Sequence, residues 1–385
     1  MSTMKKSLAA TAIAGTVVSV AHAQSSVTLY GLMDESLQYT NSENANGHAG
    51  PAWALAAGAN NTTVWGFKGN EDLGGGTHAI FVLENQFSLS NGANAYSSDM
   101  FGRQAWVGLA DDHWGTLTLG KQYTPVVDYL CPLSAYCSFG GNMAAHAYDN
   151  DNVGGGYTAS NSVMYASPVM GGWHFNAMYA FSNAAGQFTS NSLFSVGTGY
   201  DNGPFHVAAA YMDATNPASG PNAVGGAVGS NMAFLPAANQ RAFGAGASVD
   251  VGKGTVGVLY THSTYLSLAT GGSSFSDISG DDLRFDNYSV YGHYPLNGAF
   301  SLGAGYTLTS EHLSGSKVAA LHNQQITIDA DYDVSKRTTL YVEADYQHVS
   351  GGNGLSLSYA SIPTSAAASA TNSQTEVSVG IRHKF

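Results

Sequence analysis

Charged side chains are scarce in this 385-residue chain. Asp, Glu, Lys and Arg together make up 10% of it, against about 25% in ordinary soluble domains. Cations are the scarcer sign, with 13 Lys and Arg against 26 Asp and Glu and a formal net charge of -13. That balance argues against nucleic acid or an anionic lipid surface as partner. Only two cysteines occur, Cys131 and Cys137, and with no Cys/His pair beside them they make a poor zinc site. Beyond the first residues, no segment reaches the roughly 18 consecutive apolar residues of a membrane-spanning helix. What the chain has in plenty is glycine (47) and tyrosine (22).

The N-terminus reads as an export signal. Lys5 and Lys6 precede an apolar run, Leu8 to Val20, which ends in Ala21-His22-Ala23. A positive region, a short apolar core and an A-x-A site in that order define a secretory signal peptide. The alternative is a buried N-terminal helix. Residues 1–23 are therefore expected to be removed, leaving 24–385 as one domain. In an exported chain Cys131 and Cys137 are expected to be bonded to each other; the alternative is two reduced thiols packed together.

The mature chain alternates. In the last ten residues Val377, Val379, Ile381 and Phe385 fall on one face, and Glu376, Ser378, Gly380, Arg382 and Lys384 on the other. Period two is the pattern of a strand between two environments. Such an apolar strand needs partners on both edges and an apolar medium on one face, which a closed membrane barrel supplies. Similar segments of about 9–13 residues recur along the chain. Short turns rich in Gly, Pro, Asn and Asp join them near 70–75, 111–114, 168–171, 201–203, 251–254, 295–298 and 333–336. Longer connections lie near 40–61, 90–99, 124–158, 183–190, 214–238, 265–283, 312–321 and 350–372. Seven turns and eight loops separate sixteen strands. The chain is thus expected to be an all-β protein, a transmembrane 16-stranded antiparallel β-barrel with its turns in the periplasm and an aqueous lumen.

Alternation also assigns faces. Ile326, Ile328, Ala330 and Tyr332 oppose Thr327, Asp329 and Asp331, and Leu340, Val342, Ala344 and Tyr346 oppose Tyr341, Glu343 and Asp345. A charge facing mid-bilayer lipid costs about 2–4 kcal/mol, so the charged face looks into the lumen. Asp34, Glu84, Asp329, Asp331, Glu343, Asp345 and Glu376 are expected there, with Arg103 and Lys68. One residue breaks the rule: Glu35 falls with the apolar set of the first strand. A bulge, a subunit interface or the polar rim would each account for it.

Several stretches carry a resemblance. Ser26 to Gly31 (SVTLYG), Gly66 to Gly76 (GFKGNEDLGGG), Arg103 to Leu109 (RQAWVGL), Gly115 to Tyr123 (GTLTLGKQY) and Gly380 to Phe385 (GIRHKF) follow one another in order along the mature chain. Together they resemble the general diffusion porins of Gram-negative bacteria, particularly the beta-proteobacterial branch. The resemblance implies an outer-membrane homotrimer in contact with lipid and lipopolysaccharide. It implies a third long loop folded into the lumen, and a terminal Phe385 strand read by the assembly machinery. It implies no enzymatic activity, cofactor or metal.

The departures from the family concern charge. The third loop carries Ser138-Phe139-Gly140-Gly141-Asn142 where relatives have P-E-F-G-G-[DN], so Ser138 replaces a glutamate and Cys137 a proline. Basic residues that relatives place on the wall opposite are replaced by Val64, Leu32, and Thr158 with Ala159. Arg103, Lys68, Ser138, Asp149 and Asp151 are expected to line the pore with the acids above. Fixed charge in a narrow aqueous path biases ion entry, so passive diffusion of small hydrophilic solutes is expected with a neutral to cation-preferring character. For any single acid, solvation at the rim or an ion pair is the bland alternative. Gly252-Lys253-Gly254-Thr255 lacks the spacing of a phosphate loop. His146, Asp149 and Asp151 are read as a polar loop before a metal site. An outer-membrane enzyme and a secreted adhesin are the competing classes. No nucleophile motif supports the first, and the lipid-type outward face opposes the second.

Overall fold

The computed structural model describes residues 25–45, 48–96, 99–216, 226–229, 235–269, 275–352 and 354–385. The expected signal peptide, 1–23, lies outside these residues. Among the described residues seventeen strand segments form one antiparallel sheet. They are β1 Ser26–Ala45, β2 His48–Ala57, β3 Val64–Gly74, β4 Thr77–Gln86, β5 Gln104–Asp111 and β6 Gly115–Gln122. Next come β7 Ala159–Ala166, β8 Trp173–Ala180, β9 Leu193–Asn202, β10 Phe205–Thr215, β11 Ala237–Val251 and β12 Gly254–Leu268. The last are β13 Asp282–Pro295, β14 Phe300–Ser314, β15 Ala319–Asp333, β16 Thr338–Gly351 and β17 Ser373–Lys384.

Apart from β2 and β3, which both pair with β1, each strand pairs with its sequence neighbour, and β1 pairs with β17 from Leu32↔Lys384 to Thr40↔Glu376. The sheet therefore closes around the β1–β17 seam, as a bilayer requires. The final residue completes the seam: Phe385 N–H donates to the Gly31 carbonyl at 3.1 Å, and Gly31 N–H donates back at 3.1 Å. The count of sixteen is reached because β2 and β3 occupy one position in the wall. β1 pairs with β3 through its first half and with β2 through its second.

This is where the expected connections need correction. Residues 40–61 are not one long loop; most of them are strand, and the irregular part is 58–63. The connection 312–321 is also short, since β14 runs to Ser314 and β15 starts at Ala319. Strand pairing there continues past the alternating segment. The backbone ladder needs no apolar side chain to persist, only partners for its N–H and C=O groups.

Burial follows the pleat. On β15 the residues Leu321, Asn323, Gln325, Thr327 and Asp329 are buried, while His322, Gln324, Ile326 and Ile328 are exposed. Ile328 and Val342 point outward together, and Tyr288, Tyr306, Tyr332 and Tyr346 are exposed on the same side. This is the apolar wall with aromatic bands that a bilayer selects. Glu35 shares the outward face: it pairs with Ile381, and its Oε1 accepts the Ser90 hydroxyl at 2.6 Å.

The third loop fills much of the interior. A short helix, α1 Pro125–Leu130, is followed by single helical turns at Cys131–Leu133, Tyr136–Gly140, Gly141–Ala144 and Ala147–Asp149. Glycines on the inner wall make seats for its large side chains. A Cβ at Gly197 would strike Tyr129, one at Gly244 would strike Leu130, and one at Gly303 would strike Phe139. Much of the glycine content is thus packing space for this loop. The returning limb is pinned by polar contacts. The Asn150 carbonyl accepts Tyr265 Oη at 2.6 Å, and Asn150 Oδ1 accepts Ser263 Oγ at 2.7 Å. Asp151 bonds His146 Nδ1 at 2.7 Å and also the Thr261 hydroxyl, while His146 Nε2 bonds Ser289 Oγ at 2.7 Å.

Candidate functional site: the lumen constriction

Two cavities lie on either side of the loop. One of about 340 Å³ is lined by Gln86, Tyr96, Asn142, Asp149 and Thr364 among others. The other, about 610 Å³, opens toward the short-turn end past Asn61, Ser138, Asp331, Arg337 and Arg382. Thr62, Arg103 and Tyr136 line both. The water path narrows where these three side chains face each other.

Arg103 is placed there because the chain enters β5 at Gln104. Its guanidinium is held on two sides. Nε lies 2.9 Å from Glu84 Oε1, Nη1 donates to Gln86 Oε1 at 3.1 Å, and the group sits 5.4 Å from the Tyr123 ring centroid. Glu84 also accepts Tyr30 Oη at 2.8 Å and Gln104 Nε2 at 3.3 Å. The single cation at the narrowing is therefore matched by a carboxylate in the same shell. Lys68 stands nearer the turn end, 5.5 Å over the Tyr30 ring.

Most of the acids expected along the pore face inward but do not line the open path. Asp34, Glu343, Asp345 and Glu376 are each at most 1% exposed, and Asp329 is 3% exposed. Inward-pointing side chains met loop 3 and the connection 352–372, and were covered by them. Asp34 accepts Tyr341 Oη at 2.8 Å and the Asn61 N–H at 3.2 Å. Glu343 takes Asn60 Nδ2 at 3.4 Å. Asp345 takes Gln325 Nε2 at 3.0 Å. Glu376 takes Gln38 Nε2 at 2.6 Å and the Thr364 hydroxyl of the covering loop. Two pairs stand directly opposite across strands, Asp329 with Glu343 and Asp345 with Glu376. Asp151 is also removed from the path, buried in its bond to His146. Asp331, Ser138 and Asp149 do line the cavities.

Asp149 is the loop-3 acid that lines the smaller cavity. Its carboxylate accepts the N–H groups of Gly154 at 2.8 Å and Gly156 at 2.7 Å. Burial, with Asp151 beside it, pushes its pKa up to about 7 against the lowering effect of those donors and of His146. The phenol of Tyr136 faces the same carboxylate.

Cys131 and Cys137 are joined in a disulfide within this loop, with Cα atoms 5.4 Å apart. Sequence reasoning missed Thr62 and Tyr136; it placed Arg382 on the inward face without finding its partners. Arg382 reaches from β17 to Asp331 Oδ2 at 3.0 Å and to Asn61 Oδ1 at 2.8 Å. The run Gly58-Ala59-Asn60-Asn61 carried a turn signal inside a strand, which is the one cue that pointed to Thr62.

A closed sixteen-position barrel with an apolar exterior and an aqueous, loop-narrowed interior defines a membrane channel. The chain belongs to the Gram-negative porin family, whose model matches residues 9–352. An outer membrane porin protein of Bordetella pertussis is 28% identical, over 99% of this chain and all of its own length. Outer membrane porin protein 32 of Delftia acidovorans is 29% identical over the same shares. Among solved structures, an anion-selective porin from Comamonas acidovorans superposes with a TM-score of 0.71 at 25% identity, covering 94% of this chain and 100% of its own. The protein is an outer-membrane porin of Gram-negative type, a channel and not an enzyme.

Proposed function

We propose that this porin passes small hydrophilic solutes and ions by passive diffusion with a neutral to cation-preferring character, and that it works as a homotrimer. The Arg103–Glu84 pair supports the selectivity reading. At 2.9 Å the two charges offset each other at the narrowing, so the field there is set by neighbours, among them Asp149, which lines the smaller cavity. A second reading, weak anion preference, is favoured by the turn-end cavity, where Lys336, Arg337, Arg382 and Lys384 face Asp331 and Asp333. Glu35 supports assembly. A carboxylate on the lipid face is unfavourable, by less than the about 2–4 kcal/mol of a basic residue at mid-bilayer, and burial against a second copy removes it from lipid. Removal of residues 1–23, contact of the apolar wall with lipid and lipopolysaccharide, and recognition of the Phe385 strand by the assembly machinery belong to the same reading.

Reversal potentials across a planar bilayer under a salt gradient, measured on the heat-modifiable trimer, test the proposal. Equal or greater permeability for potassium than for chloride is expected. Clear chloride preference rejects the selectivity reading, and conductance carried by a monomer alone rejects the trimer.

Asp149 adds a pH dependence. With its pKa raised to about 7, the carboxyl is neutral below that value and negative above it. Cation preference is expected to grow as pH rises from about 5.5 to about 8.5. Asp149→Asn removes this rise. A rise of the same size in the variant assigns the titration elsewhere.

A further inference from the structure

The narrowing has a third wall besides loop 3 and Arg103. The chain leaves the sheet after Ala57, turns at Gly58 with φ +80°, and rejoins it at Val64. Breaking a wall strand strands backbone groups on its neighbour, and here side chains take their place. Thr63 Oγ1 accepts the Asp34 N–H at 3.0 Å and donates to the Asp34 carbonyl at 2.9 Å, and Gly58 N–H donates to that carbonyl at 3.0 Å. The gap is therefore stitched closed, and the residues between are free to project inward.

They project onto loop 3. Asn60 is fully buried. Its carbonyl accepts the Asn142 N–H at 3.0 Å, its Nδ2 donates to the Phe139 carbonyl at 3.0 Å, and its Oδ1 accepts Arg382. Asn142 reaches back, donating to the Gly58 carbonyl and to Thr62 Oγ1 at 3.4 Å, while its Oδ1 accepts Tyr136 Oη at 2.7 Å. One chain of hydrogen bonds runs from the strand break through Asn142 to Tyr136, and its two ends, Thr62 and Tyr136, both line both cavities.

We propose that the break Gly58–Thr63 is a second constriction element, in which Thr62, in contact with Tyr136, bounds the free width beside Arg103, and Asn60 is the positioning residue that holds loop 3 against it. This rests on the reading of the lumen as the conducting path.

Thr62→Cys, reconstituted as a trimer and treated with methanethiosulfonate reagents of either charge, tests it. The native cysteines are bonded to each other, so the introduced thiol is the target. Modification is expected to lower single-channel conductance roughly twofold or more with either reagent. The sulfonate adduct shifts the reversal potential toward cations and the ammonium adduct shifts it toward anions. A channel shown by mass spectrometry to be modified, yet unchanged in both readouts, overturns the proposal. Asn60→Ala tests the positioning role. The size limit for neutral polyethylene glycols is expected to rise while heat-modifiability is kept, and an unchanged limit overturns that part. Chloride preference in the native channel would reject the selectivity reading and leave these outcomes intact, so the two failures are distinct.

Discussion

Glu84→Gln is expected to turn the channel toward anions. The substitution keeps the side chain's length and an acceptor oxygen for Tyr30, whose hydroxyl lies 2.8 Å from the carboxylate, but removes the charge that cancels Arg103 at 2.9 Å. An uncompensated guanidinium then stands at the meeting of the two cavities. Its interaction with a passing monovalent ion about 6 Å away is roughly 1 kcal/mol at an effective dielectric constant between protein and water, opposite in sign for potassium and chloride, so the two differ by about 2 kcal/mol and their permeability ratio shifts about thirtyfold. The shift is expected to weaken as salt is raised, because screening shortens the reach of a charge in water. Arg103→Gln moves the ratio the other way, and the double variant returns it near the starting value. A Glu84→Gln channel with an unchanged reversal potential would show that the pair does not set the field, and the proposed selectivity would lose its support.

The residues behind this prediction were unevenly legible in the sequence. The barrel itself could be read, because a closed sheet in lipid imposes period two on every strand, and stretches such as 326–332 and 340–346 obey it without exception. The inward direction of Asp329, Glu343, Asp345 and Glu376 followed from the same rule. Their burial did not, since alternation says which face a side chain takes and nothing about what a loop from elsewhere lays over it. Loop 3 covers Glu343 through Phe139 and Gly140, which lie some two hundred residues away along the chain. The pairing of Arg103 with Glu84 was hidden for a related reason. Cross-strand register between β4 and the start of β5 decides it, and the connection 87–103 leaves that register undetermined. Thr62 was hidden by the opposite fault. Asn60 and Asn61 carry a strong turn signal, which drew the whole of 40–61 into a loop and concealed that a wall strand runs on both sides of it.

Gly141→Ala is expected to open the channel. Gly141 has φ +46° and ψ -143°, outside the left-handed helical basin in a region that costs a residue with a Cβ about 1–3 kcal/mol. The larger effect is steric: a Cβ there would overlap the Asn60 carbonyl oxygen, which belongs to the backbone of the strand break. A flexible side chain could swing aside, but this carbonyl accepts the Asn142 N–H at 3.0 Å and sits on a segment stitched to Asp34, so the loop must lift instead. Lifting it breaks the Asn142 contacts to Gly58 and Thr62 and withdraws Tyr136 from the narrowing. Closure of the barrel depends on the strand ladder and not on the loop, so the variant is expected to insert as a heat-modifiable oligomer. Its single-channel conductance should rise about twofold, and it should admit larger neutral polymers. Gly252→Ala supplies the control, for Gly252 also has a positive φ, +66°, but nothing lies within 4 Å of its added carbon. It puts a side chain at a positive φ without the clash. If both variants conduct like the native channel, the Gly141 contact does not hold loop 3 in place. If both change alike, backbone strain alone is responsible.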